Sequence, residues 1–145
     1  MKNFQVLGSY KHYSYVYHDY SQVLQKEYDR MYGIIKANGH ALASDAWTLD
    51  GGILLQDDSR VIAGAFFNLT KNPSSILIHI IFVSEEHRQQ GIYKKMHSLI
   101  ELIGKESKRT SIYSYIHAEN QVMQQHVVEK IGYKPVMHLV KREIK

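Results

Sequence analysis

An α/β fold, in which an antiparallel meander leads into a parallel pair of strands with helices on both faces, is predicted by three observations. Three apolar runs follow one another across residues 51–83 with only short turn signals between them. Around Gly91 the apolar period changes from that of a strand to that of a helix. Beyond that helix the run SIYSYIH, residues 111–117, reads as one more strand.

Each element has its own signal. Near the start, Tyr13, Tyr15 and Tyr17 alternate with Ser14, Val16 and His18, the period of an amphipathic strand, expected at the sheet edge. Asp19 and Gln22 resemble a capping box, and Leu24, Tyr28, Met31 and Ile35 recur at helical spacing until Asn38-Gly39 ends the helix. The signals Asp57-Asp58-Ser59 and Asn72-Pro73-Ser74-Ser75 separate the three runs, and connections that short favour antiparallel pairing. The third run, residues 76–83, is apolar on both parities apart from His79, so it predicts a central strand covered on both faces.

Ile92, Met96, Leu99, Ile100 and Ile103 fall at i, i+4, i+7, i+8 and i+11, which gives a helix one buried stripe. Strand, helix and strand then form a right-handed parallel crossover. Val122, Met123, Val127 and Ile131 predict a last amphipathic helix that stops near Gly132, and the tail PVMHLVKREI closes the sheet.

The 145 residues predict one domain, residues 1–145. A composition 44% hydrophobic and 22% charged is that of a globular protein. No apolar run approaches the roughly 20 residues of a membrane span, and the first residues, MKNFQVLGSYKHY, lack the apolar segment of a signal peptide. A cytoplasmic address without a membrane partner is expected. The absence of cysteine excludes disulfides, thiolate metal sites and a cysteine nucleophile. The nine histidines form no i, i+4 pair on a predicted helix, so no metal site is expected. The net charge of +4 is spread among acidic residues and does not demand nucleic acid; an anionic small ligand accounts equally well for the basic cluster at Gly91.

That cluster is the most informative feature. Gly91 stands between a buried strand and a helix, with Arg88 just before it and Lys94 and Lys95 just after. A helix N-terminus presents backbone N–H groups and a partial positive charge, and a glycine in the preceding turn lets a ligand approach without a Cβ in the way.

The run IIFVSEEHRQQGIYKKMHSLIELI, residues 80–103, resembles the acyl-CoA-binding motif of the GNAT N-acetyltransferases: Arg or Gln, two residues, Gly, one residue, then Gly or Ala. Here it reads Arg88, Gln89, Gln90, Gly91, Ile92 and Tyr93. The stretch YIHAENQVMQQHVVEKIGYKPV, from residue 115, is similar to the family's second signature: an Asn after a strand, a helix, then Gly and an aromatic residue. The resemblance implies a GNAT-like fold with a splayed parallel pair, and acetyl-CoA as cosubstrate. It places the pyrophosphate on the backbone of Gln89, Gln90, Gly91, Ile92 and Tyr93, and the pantetheine arm along Ile81, Phe82 and Val83 and at Asn120. Arg88 and Lys94 or Lys95 would meet phosphate charge. Two positions depart from the pattern. Tyr93 replaces a small residue, and Val128 stands where the family often has the tyrosine that protonates the leaving thiolate, in a segment one residue longer than usual.

The implied reaction is direct transfer of acetyl from acetyl-CoA to an amine on a small molecule or a protein. The candidate base is His79, which by strand parity shares a face with Ile81 and Val83; His117, with Tyr113 and Tyr115 on its own face, is a second candidate. Tyr115 could relay a proton or protonate the thiolate, and His126 lies two residues from the vacant tyrosine position. The rival reading is a GNAT-like binding module without catalysis, sensing CoA or holding a protein. A weaker rival is nucleic-acid binding through Lys105, Lys108, Arg109, Lys141 and Arg142. The acceptor would be gripped by residues 28–50, which include Trp47. A homodimer is compatible with the resemblance.

Overall fold

All three apolar runs of the middle segment become strands, and the helical stripe after Gly91 becomes a helix that covers them. The computed structural model describes residues 4–39, 48–71, 74–114, 125–134, 142 and 144. Among these, β1 (Phe4–Tyr10), β2 (Tyr13–His18), α1 (Ser21–Ala37), β3 (Gly51–Gln56), β4 (Val61–Lys71), β5 (Ser74–Val83), α2 (Ile92–Glu106) and β6 (Ser111–Ser114) follow in order. The six strands form one sheet in sequence order, β1-β2-β3-β4-β5-β6. The first four pairings are antiparallel and β5 with β6 is parallel.

The helices pack on opposite faces. On one face Ile92, Met96, Leu99, Ile100 and Ile103 of α2 meet Ile53, Leu55, Ala65, Phe67, Ile76 and Ile78. On the other, Leu24, Tyr28 and Met31 of α1 meet Leu54, Phe66, Ile80 and Phe82. Each fully buried aliphatic or aromatic side chain contributes about 1.5–3 kcal/mol, so these two stripes supply much of the drive to fold. Gly52 is required by the close approach of α1: a Cβ there would lie 2.7 Å from Leu24 Cδ2 and 2.9 Å from the Ala65 carbonyl oxygen.

The N-terminal region differs from the sequence reading. Residues 4–10 carry no clear period, yet they pair along β2 and occupy the sheet edge. The tyrosine-rich β2 is therefore an inner strand, with Tyr13, Tyr15, Val16, Tyr17 and His18 all buried, and not an amphipathic edge. Tyrosine and histidine read as half-polar, but their rings are large apolar bodies that fill both faces here. The capping box is also not formed. Tyr20 is the N-cap of α1 and makes no side-chain capping hydrogen bond. The expected end at Asn38-Gly39 does hold, Asn38 being the C-cap and Gly39 having φ +79°.

The C-terminal helical segment is α-helical at residues 125–126 and then a π turn, Val127–Ile131, before Gly132 at φ +94°. A π turn absorbs one extra residue per turn, which matches the one-residue excess in this stretch. Val122, Met123 and the tail strand lie outside the described residues. No helix among the described residues is long and apolar enough to cross a membrane.

Candidate active site

The segment between β5 and α2 is held from several sides. The Ser84 N–H donates to the Ile62 carbonyl at 2.8 Å, a short 3-10 turn follows at Glu85–His87, and Ser84 Oγ and His87 Nδ1 share a hydrogen bond of 2.7 Å. Arg60 pairs with Glu86 at 3.1 Å, and Arg88 donates through Nε to the Val83 carbonyl at 3.1 Å, tying the guanidinium to the strand end. The chain then turns through the left-handed region twice, at Gln89 with φ +61° and Gly91 with φ +80°.

Gly91 is the N-cap of α2, and no side chain among the described residues caps that end. The first bond of the helix runs from the Lys95 N–H to the Gly91 carbonyl at 3.0 Å, so the amides ahead of Lys95, those of Gly91 and Ile92 among them, mark the positive end of the helix dipole. A Cβ on Gly91 would meet nothing within 4 Å. The glycine is thus demanded by its φ and not by crowding, and the space beside it is open to a ligand. Lys94 and Lys95 are exposed there, while Ile92 is buried in the core. Tyr93 packs its ring edge-on against His126, with centroids 5.5 Å apart, and burial pushes its phenol pKa upward. The aromatic side chain that departs from the small-residue pattern is therefore engaged with the C-terminal helical segment.

A second site lies further back on β5. The described parallel ladder with β6 ends at Ile78 opposite Ser114. The next residue, His79, is a β-bulge: Ile78 faces Phe67 and Ile80 faces Phe66, which leaves His79 without a register partner on β4. A bulge flips the alternation beyond it. Ile76 and Ile78 lie in the α2-side core and Ile81 and Val83 pack against it, whereas Ile80 and Phe82 lie on the α1 side. His79 consequently does not share its environment with Ile81 and Val83, contrary to simple parity. Its Nε2 hydrogen-bonds Asn68 Oδ1. Asn68 in turn donates through Nδ2 to the Thr48 carbonyl at 2.7 Å and to Asp50 Oδ2 at 3.1 Å, and the same Asp50 oxygen accepts the Leu69 N–H at 2.8 Å. Burial lowers the His79 pKa and the Asp50 carboxylate opposes that shift, with a net result below 6.5. The shift favours the neutral imidazole over the charged ring.

Asn68 has no place in the sequence reading, and Asp50 enters it only as the end of the acceptor segment, residues 28–50. Their available signal was an asparagine in an otherwise apolar strand, followed by a histidine in the next. Of the other candidates, Tyr115, His117, Asn120 and Trp47 lie outside the described residues. Tyr113 is partly exposed, and Val128 is exposed within the π turn. On the outer side of α2, His97 and Tyr133 share a hydrogen bond of 2.8 Å, in which burial lowers the histidine pKa and raises that of the tyrosine. Among the described residues no group of three His, Asp or Glu side chains is gathered to hold a metal ion.

No family model and no curated protein matches the sequence. Solved structures do match. The aminoglycoside N-acetyltransferase AAC(6')-Iy in complex with CoA superposes with a TM-score of 0.62 at 15% identity, over 89% of this chain and 98% of that one. A possible acetyltransferase from Clostridium difficile 630 gives 0.64 at 14% identity, over 89% and 97%. A ribosomal-protein-alanine N-acetyltransferase from Brucella melitensis biovar Abortus 2308 gives 0.53 at 12%, over 64% and 71%.

The chain has the GNAT fold. Its mixed sheet carries the parallel pair β5-β6 beside the turn that leads into α2, the order the resemblance implies. Within this GNAT fold residues 88–93, which resemble the acyl-CoA motif, lie between the end of β5 and the first turn of α2, and the bulge falls where the described parallel ladder ends.

Proposed function

We propose that the protein is an acetyl-CoA-dependent N-acetyltransferase that moves the acetyl group directly to an amine. One observation carries this reading: an open, uncapped helix start at Gly91, with left-handed φ and flanking cations, on a fold shared with a CoA-bound acetyltransferase. The residues fit the cosubstrate. The amides of Gln89, Gln90, Gly91, Ile92 and Tyr93 would hold the pyrophosphate, Arg88 and Lys94 would offset its charge, and Ile81, Phe82, Val83 and Asn120 would line the arm. Acetyl-CoA supplies an activated acyl group whose leaving sulfur has a reference pKa of about 8.5.

His79 is the base in this proposal. An amine of pKa about 10.4 is protonated at pH 7 and cannot attack until it loses a proton. The neutral imidazole takes that proton. The amine nitrogen then bonds to the acyl carbon, the carbon–sulfur bond breaks with its electron pair on sulfur, and a second amine proton leaves with the sulfur as thiol. Tyr115 and His117 belong to the same proposal as groups that follow β6 in the sequence. With Val128 in the usual tyrosine position, that second transfer relies on the thiol being a good leaving group.

The test is calorimetric titration with acetyl-CoA, followed by an amine panel. Binding that Arg88→Glu weakens, together with turnover, supports the proposal. Binding without turnover of any amine makes the chain a CoA-binding module, and no binding removes both readings.

A further inference from the structure

We infer that Asn68 and Asp50 are positioning residues that hold His79 in the tautomer with its proton on Nε2 and its basic lone pair on Nδ1. This rests on the acyl-transfer reading above, but its first test does not.

The argument is one of donors and acceptors. The two partners of Asn68 Nδ2 are the Thr48 carbonyl and the Asp50 carboxylate, and neither can donate a hydrogen bond. The amide nitrogen must therefore face them, which turns Oδ1 toward His79. An amide oxygen only accepts, so Nε2 is the donor and carries the proton. Nδ1 is then the nitrogen with the lone pair, the requirement for a base.

Asp50 acts through the amide. Its Oδ2 is fixed by the Leu69 N–H, and its own N–H donates to the Phe67 carbonyl at 3.2 Å, so the carboxylate is anchored to β4 on both sides of Asn68. The negative charge polarises the Asn68 amide toward a more negative Oδ1, which strengthens its bond to His79 when the ring gains a proton. The bulge makes the arrangement available, because it takes His79 out of the ladder opposite Phe66 and Phe67 and lets its ring reach the next residue of β4. The three side chains thus form a chain from β3's entry to the end of the described β5-β6 ladder.

Imidazole 15N spectroscopy of the unliganded protein tests the tautomer without any substrate. A neutral His79 protonated on Nε2 is expected, and the Nδ1–H form would overturn the inference whether or not the protein acetylates amines. The pH dependence of kcat/KM then separates positioning from mere packing. Asn68→Asp places a carboxylate on the Nε2 proton and should move the acid limb to higher pH. Asp50→Asn removes a charge that raises the His79 pKa and should move it to lower pH. Asn68→Ala should lower kcat about tenfold or more with the KM for acetyl-CoA unchanged. Limbs that stay in place in both charge variants would leave a purely structural network and sink the proposal.

Discussion

The turn at Gly91 and the bulge at His79 sit on either side of one strand end, and under the proposed function they would serve a ligand in opposite ways. At Gly91 the chain offers backbone: an uncapped helix start, a left-handed glycine and open space where a side chain would stand. At His79 it offers side chains: a part-buried ring tied through Asn68 to Asp50. The first arrangement needs an absence of atoms and tolerates much variation around it. The second depends on three identities from three places in the chain, brought together by a one-residue irregularity in strand pairing. If the proposed binding site is made of amides and the proposed reacting site of side chains, the two should fail separately.

The sharpest way to break that comparison is to mutate each site and read both properties. Replacing His79 with alanine should lower kcat by about 10²- to 10⁴-fold, the usual worth of a general base, while calorimetry shows unchanged acetyl-CoA affinity. Gly91→Val should do the reverse. A branched side chain in the left-handed region costs about 1–2 kcal/mol, the turn relaxes out of it, and restoring it on binding weakens affinity by about tenfold. Equal losses of both properties in either variant would show that the two sites are one.

A third variant asks whether the frame matters apart from either site. Gly52→Ala forces a Cβ against Leu24 and the Ala65 backbone and should cost about 1–3 kcal/mol in urea unfolding, with acetyl-CoA affinity retained. The smallest effect expected is on pH stability. His18, His79 and His97 all have pKa values lowered by burial from 6.5, so below that pH the unfolded chain binds more protons than the folded one. Their contribution is complete above 6.5 and is lost as the pH falls through the lower folded values. The melting temperature should drop between a buffer well above 6.5 and one well below it, and a flat profile would mean that these rings are hydrated.

Much of this was legible in the sequence because it is local. The stripe from Ile92 to Ile103 is a helix because four residues span about one turn, and it buries as its spacing requires. The meander follows from turn residues a few positions apart. The glycine at Gly91 announces itself by needing a positive φ between a strand and a helix. The parts that were misread depend on distant partners. β1 is a strand only because β2 lies beside it, and the tyrosines of β2 are buried only because both of its neighbours and the cover on its faces exist. His79 was assigned to the face of Ile81 and Val83 because parity counts residues, and a bulge adds one that the partner strand does not match.

The sequence by itself determined the class of the fold, the helix over β5 and the cradle at its start, since periodicity and backbone conformation are set within a few residues. Only the tertiary structure decided that Asn68 meets His79 and that Asp50 stands behind it. Such contacts join residues far apart in the chain, and strand register, which no local pattern encodes at a bulge, determines which of them touch.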